Sequence, residues 1–233
     1  MAKILQKIIN EQIKTWELRG SGKPKIASPK GEPFPVITIS REFGALGAAL
    51  ANLMGEKTNF KVWDKNILQA MAEELGSNQK YLEALDENPR ELIGDMVVGF
   101  MTNVNTNVEY FRTLNNLVRT IEKNGNAVIV GRGANYICKK PESFHIRIVS
   151  TVDKRIDEYS LREEITKEEA ESVILKKDKE RKEFVRHYFK KDVTQSSDYD
   201  LILNSGTFNL QQMMQIAIEG YEQKTGLKLE LIK

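Results

Sequence analysis

Five short apolar runs set the architecture of this chain: VITIS (36–40), FKVWD (60–64), AVIVG (127–131), HIRIVS (145–150) and DLILN (200–204). Helical stretches separate them, at 45–56, 65–75, 90–124 in one or two pieces, 152–163, 167–189 and 209–224. Runs rich in Val and Ile that alternate with helices predict an α/β fold, a parallel sheet wrapped by helices on both faces. In such sheets a ligand binds at the carboxyl ends of the strands, beside the point where strand order reverses. The strand ends are therefore where function is sought.

After the first strand the chain reads Ser40, Arg41, Glu42, Phe43, Gly44, Ala45, Leu46, Gly47, Ala48, Ala49, and then continues as a helix. A phosphate loop of the G-x-x-x-x-G-K-[ST] type needs glycines that turn backbone N–H groups inward, a lysine for the outer phosphates and a hydroxyl for Mg²⁺. With Arg41 at the first position, Leu46 takes the second glycine position, Gly47 the lysine position, and Ala48 and Ala49 replace the hydroxyl. Backbone amides and a helix N-terminus attract an anion without side chains. A tight strand-to-helix connection carries glycines for its own reasons, so the loop alone leaves both readings open.

The second run ends in Asp64, a carboxylate placed to hold a substrate hydroxyl or a Mg²⁺-bound water, or equally to cap the helix that follows. The third ends in GRGA (131–134), where Arg132 between glycines suits bidentate capture of phosphate, a structural ion pair being the alternative. Beyond the fourth lie Asp153, Arg155 and Arg162, then a basic helix from Lys176 to Arg186 in which Asp178 and Arg181 share a face. Singly these charges describe a solvated face; as a set they offer cations able to close over a triphosphate. His145 and His187 stand apart from acidic partners, and no H-E-x-x-H, paired C-x-x-C or G-x-S-x-G pattern supports zinc or serine hydrolysis.

At 233 residues the chain suits one sizeable α/β domain with an appendage. Ile4, Leu5, Ile8, Ile9, Ile13 and Trp16 predict an amphipathic helix over 1–20, and the Gly, Ser and Pro of 21–35 predict a flexible linker, with the main domain at 36–233. The Asn-rich stretch MTNVNTNVEY (101–110) predicts an interruption between two helices. The net charge is +2, and residues 1–35 hold seven of the 35 basic and three of the 33 acidic residues, so the body is slightly acidic and nothing marks a nucleic-acid binder. The single cysteine, Cys138, excludes an internal disulfide and is expected to be a buried thiol. With no apolar run of membrane-spanning length and no signal peptide, no membrane association and a cytoplasmic location are expected.

Taken in order, ITISREFG, VWDKNIL, AVIVGRGANYI, HIRIVSTVDKRI, KKDKERKEFVRHYF and SSDYDLILNSGTFNL resemble the bacterial cytidylate-kinase-like family, a branch of the P-loop nucleoside monophosphate kinases. The resemblance covers about residues 36 to 222, and SREFG, VGRGA and the DKERKEF to YDLILN tail are its most specific parts. It implies a three-layer P-loop kinase fold with a five-stranded parallel core, a helical acceptor flap over 90–124 and a lid, using ATP and Mg²⁺ with no metal site built from protein ligands alone. It implies that residues 41–49, including Gly44, Ala45, Gly47 and Ala48 after Ser40, form the donor phosphate loop with Arg41. Asp64 begins the acceptor-side helix. By the same resemblance Arg132 grips the acceptor phosphate, Asp178 with Arg181 reads the pyrimidine and its phosphate, and Arg155 and Arg162 belong to the lid.

In this family the loop usually reads S-R-E-F-G-S-G-G-R-E-I, whereas this chain carries Leu46, Ala48 and Ala49 at a glycine, the arginine and the acidic position. The expected function is ATP-dependent phosphoryl transfer to a nucleoside monophosphate, CMP or dCMP first. The alternative is a catalytically weak or inactive nucleotide-binding module that regulates a partner or its own homodimer through the N-terminal helix.

Overall fold

The structure, a computed structural model, describes residues 31–64, 67 and 104–232. The helices expected over 1–20 and 65–75, the linker up to residue 30 and the first part of the 90–124 segment lie outside the described residues.

Five strands form one parallel sheet: β1 (Ile37–Arg41), β2 (Lys61–Trp63), β3 (Ala127–Val130), β4 (Phe144–Val149) and β5 (Leu201–Asn204). Their spatial order is β2-β3-β1-β4-β5. β1 is central, with Thr38 opposite Ile129 of β3 and opposite His145 of β4. The chain thus leaves β1 toward one edge, returns to β3, and continues past β1 to β4. That reversal puts the switch point at the carboxyl end of β1, where the phosphate loop begins.

Helices cover both faces. On one lie α1 (Gly47–Thr58) and, at the end of the chain, α6 (Leu210–Thr225), which bury Leu50, Met54, Met213, Ala217 and Tyr221 against Ile37, Ile39, Val128, Val130, Ile146 and Ile148. On the other, α2 (Val104–Asn124) and the short α3 (Ala134–Ile137) pack Leu114, Leu117, Ile121 and Ile137 with Trp63, Ala127 and Ile129. The period-2 alternation of the strands sorts their side chains between these two cores, so neither face is left wet. The remaining helices, α4 (Val152–Glu163) and α5 (Lys167–Phe189), form an antiparallel hairpin with a small apolar cluster of its own, Ile156, Ala170 and Ile174.

One expectation is corrected. Residues Val104–Tyr110 are the start of α2 and not an interruption. Tyr110, Leu114, Leu117, Val118 and Ile121 fall on one face and are buried, and that packing outweighs the turn preference of the asparagines. The packed domain begins before Val36: Phe34 is buried against Phe60, its N–H donates to Asn126 Oδ1 at 2.8 Å, and its carbonyl accepts from Asn126 N–H at 2.8 Å. The linker chemistry therefore stops short of residue 34. The four-residue helix α3, which follows GRG directly, had no periodicity long enough to reveal it. Cys138 is a buried free thiol, and burial pushes its pKa up.

Candidate functional site

The loop after β1 is built from its backbone outward. Glu42 N–H donates to Ile148 O at 3.1 Å and Ala45 N–H to Glu42 O at 3.3 Å, which turns the chain back toward the sheet end. Leu46 then sits at the N-cap of α1 in the left-handed conformation, φ 61°, and no side chain caps the helix. The first helical bond is Leu50 N–H to Leu46 O at 2.9 Å, so the amides of the first turn have no intrahelical acceptor. α5 and α6 differ: Thr166 with Glu169 and Asn209 with Gln212 close full capping boxes. A bare first turn facing a cavity is a positive site.

That cavity measures about 540 Å³, within the usual range for a small-molecule pocket. The loop 40–49 forms one wall, GRG at the end of β3 a second, and α5 a third. Among the described residues, seven cationic side chains line it, Arg41, Arg132, Arg147, Arg162, Lys177, Arg181 and Lys182, against the four carboxylates of Glu42, Asp64, Asp178 and Glu180. A cleft with that surplus of positive charge focuses potential on an anionic ligand.

Arg41 lies across the end of β3. A Cβ on Gly47 would come within 2.6 Å of Arg41 Cβ, so that glycine is needed to admit the arginine's stem, and one on Gly131 would come within 2.1 Å of Arg41 Nη1 and displace the guanidinium from its position. Gly131 also holds φ 74°, a conformation other residues rarely adopt. Arg41 Nη2 is 3.8 Å from Asp64 Oδ1, and burial lowers the Arg41 pKa while Asp64 opposes the shift. The Arg181 pKa is pushed down to about 9, first by burial and then by Arg41, with Asp178 and Asp64 opposing. At neutral pH both guanidiniums stay charged, and an anion arriving between them relieves their repulsion.

Eleven of the twelve residues expected from the sequence line this cavity: Ser40, Arg41, Gly44, Ala45, Gly47, Ala48, Asp64, Arg132, Arg162, Asp178 and Arg181. Arg155 is not in the wall. It is buried beneath the loop, with Nη1 donating to Phe43 O at 2.9 Å and to Asp178 Oδ2 at 2.5 Å. Asp178 also accepts from Phe43 N–H at 2.7 Å, so its carboxylate faces the loop backbone. Ser40 Oγ accepts from Arg147 Nη1 at 3.1 Å, and Arg162, half-exposed, pairs with Glu163 Oε1 at 2.9 Å at the cavity mouth.

Sequence reasoning passed over Glu42 and Arg147. Arg147 points from the middle of β4, is almost wholly buried, and joins Glu42 Oε1 at 3.8 Å, while Glu42 Oε2 accepts from Ser150 N–H at 3.0 Å. An arginine inside the otherwise apolar HIRIVS was the signal, since a buried guanidinium requires a partner. His145, part-buried on β4, has Nδ1 2.8 Å from Thr38 Oγ1, away from the cavity wall.

The family model for the cytidylate kinase-like family matches residues 36–207, from the first strand through the phosphate loop, GRG and α5 to the end of β5. The chain belongs to the cytidylate kinase-like family. Membership carries the reaction class, phosphoryl transfer of the nucleotide-kinase type, and leaves the acceptor to be argued. Among solved structures, an uncharacterized protein from Eubacterium ventriosum ATCC 27560 superposes with a TM-score of 0.61 at 21% identity, covering 81% of this chain and 98% of that one, which shows a shared fold. A shikimate kinase from Bacteroides thetaiotaomicron matches at 12% identity with a TM-score of 0.42, over 81% of this chain and 96% of its own. No curated protein sequence matches the chain.

Proposed function

We propose that this family member transfers the γ-phosphoryl group of ATP to a nucleoside monophosphate, CMP or dCMP first. The observation that carries the reading is the uncapped first turn of α1 set opposite Arg41, Arg132 and Arg181 across one cavity. On this reading the donor phosphates lie on the amides of residues 44–49, and Arg132 holds the acceptor phosphate. An oxygen of that phosphate attacks the γ-phosphorus while the bond from the γ-phosphorus to the β,γ-bridging oxygen breaks, giving the nucleoside diphosphate and ADP. Catalysis by such a site is positioning and charge neutralisation, and Arg41, Arg162 and Arg181 are the groups offered for the charge that develops.

Mg²⁺ fits this site only in company with the nucleotide. Among the described residues no group of three His, Cys, Asp or Glu side chains could hold a metal, and Ala48 supplies no hydroxyl. Asp64, about one-third exposed in the cavity wall, is the carboxylate that suits a partly hydrated ion carried in by phosphates. When bound, the ion would neutralise phosphate charge.

A second reading has its own observation: Gly47, Ala48 and Ala49 bring neither cation nor hydroxyl to the first turn of α1, which suits a module that binds nucleotide without turning it over. An assay coupling ADP release to NADH oxidation, run with ATP, Mg²⁺ and each nucleoside monophosphate, separates the two. ADP release that depends on CMP or dCMP supports the transferase. Nucleotide binding with no release for any acceptor rejects it in favour of the module.

A further inference from the structure

Phe43 joins the phosphate loop to the α4–α5 hairpin, a link that the reaction class does not itself require. Its ring enters the hairpin's own apolar cluster beside Ile156, Ala170 and Ile174. The Tyr159 ring meets it edge-on at 5.2 Å between centroids, and the Arg181 guanidinium carbon lies 5.2 Å from its centre. The backbone of the same residue is gripped on both sides: Asp178 Oδ1 accepts from Phe43 N–H at 2.7 Å, and Arg155 Nη1 donates to Phe43 O at 2.9 Å. Arg155 and Asp178 bond each other at 2.5 Å, Arg155 Nη2 reaches Glu42 Oε2 at 3.7 Å, and Arg181 Nη1 donates to Arg41 O at 3.2 Å. A guanidinium 3% exposed against a carboxylate 16% exposed is tolerated because each closes hydrogen bonds with the other and with the loop. Removing either partner leaves a desolvated charge and frees the Phe43 backbone.

We propose that Asp178 and Arg155 are positioning residues that lock the phosphate loop to the α4–α5 hairpin, so that seating phosphates on the loop and setting the hairpin over the nucleotide are one event. The inference rests on the reading of residues 44–49 as a phosphate site. It also assigns Asp178 a role other than reading the base: both carboxylate oxygens are engaged by the loop and by Arg155, and base reading passes to other cavity residues. A loop that lacks its lysine gains most from such a lock, because backbone amides hold an anion only while they stay aligned.

Two readouts on the full chain test this. In the nucleotide-free protein, hydrogen exchange at the Phe43 amide is expected to speed up about tenfold or more in Asp178→Ala, since that amide loses its acceptor. In calorimetry, the same variant is expected to bind ATP about tenfold or more weakly while CMP affinity stays within about twofold. Tyr159→Leu, which loosens the Phe43 seat from the hairpin side without touching a charge, is expected to move both readouts in the same direction by less. If Asp178→Ala does not fold, Asp178→Asn, which keeps an oxygen for Phe43 N–H but turns an amide NH₂ toward Arg155, carries the calorimetric readout alone, with ATP affinity expected to fall while CMP affinity holds. Unchanged Phe43 exchange, or CMP affinity falling while ATP affinity holds, overturns the proposal. Should the wild-type protein bind no nucleotide, the phosphate-site reading fails by itself, and the exchange measurement still decides whether the lock exists.

Discussion

At the residue scale, the cavity draws its arginines from several elements, and on the proposed reading they stand in for one missing cation. Gly47 and Ala48 stand where a lysine or the family's arginine would project from the first turn of α1, and Arg41, Arg132 and Arg181 reach the same cavity from β1, β3 and α5. Ala48→Arg restores a guanidinium to that turn and is expected to raise ATP affinity about tenfold, read by calorimetry. No gain would mean that the borrowed arginines already saturate the donor phosphates. Arg132→Ala is expected to weaken CMP binding about 10- to 100-fold while changing ATP binding much less, and equal losses for both ligands would contradict its assignment to the acceptor. Away from the cavity, Lys61 is almost wholly buried with its Nζ 4.0 Å from the Trp63 ring centre and no hydrogen-bond partner among the described residues. Burial brings its pKa down to about 8. Between about 8 and the unfolded value near 10.5 the unfolded chain holds the extra proton, so stability rises with pH through that window and is lost as pH falls toward 8. Lys61→Met is expected to flatten that rise in urea titrations and to stabilise the protein at pH 7.

At the element scale, hairpin and loop carry the functional geometry, and here sequence legibility divides. The five apolar runs gave strands within one or two residues of their observed ends, and 152–163 and 167–189 coincide with α4 and α5. Those elements were readable because local periodicity and burial agree. α2 shows the limit: its helical period from Tyr110 to Ile121 is legible, but asparagines at its start favour turns, and only the buried packing of that face shows that the helix runs unbroken from Val104. The site divides in the same way. Residue types and strand-end positions identified the wall of the cavity. Which charges satisfy one another did not follow, because Arg155 and Asp178 lie 23 positions apart and Asp178 lies 135 positions from Phe43. The expectation of a lid arginine and a base-reading aspartate came from resemblance, and the fold pairs the two with each other against the loop backbone. The hairpin's stability is set partly by the Thr166 and Glu169 capping box at the start of α5. Thr166→Ala is expected to cost about 1 kcal/mol in denaturant unfolding without displacing the loop. A cost near zero would show that packing on Ile174 and Ala170 alone holds that end.

For the whole molecule, one sheet order explains why these groups meet. Placing β1 between β3 and β4 brings the phosphate loop, GRG and the start of α4 to a common edge, and α5 crosses above them. The charged cavity at the switch point is thus a consequence of topology, with the chemistry set by what each strand end carries. Among the described residues no helix is long and apolar enough to cross a membrane. On the proposed reading this cavity is the working surface of the protein, with nucleotide phosphates held by the backbone of α1 and by arginines from three other strands and helices. A ligand held that way stabilises the folded chain by mass action even if turnover is slow. Thermal unfolding in the presence of CMP, CDP, CTP, AMP, ADP and ATP, each with and without Mg²⁺, tests that claim most directly. The account predicts a rise in Tm that grows from mono- to triphosphate, is larger with Mg²⁺, and shrinks in Arg181→Ala. No shift with any nucleotide, or a shift independent of phosphate number, would contradict it.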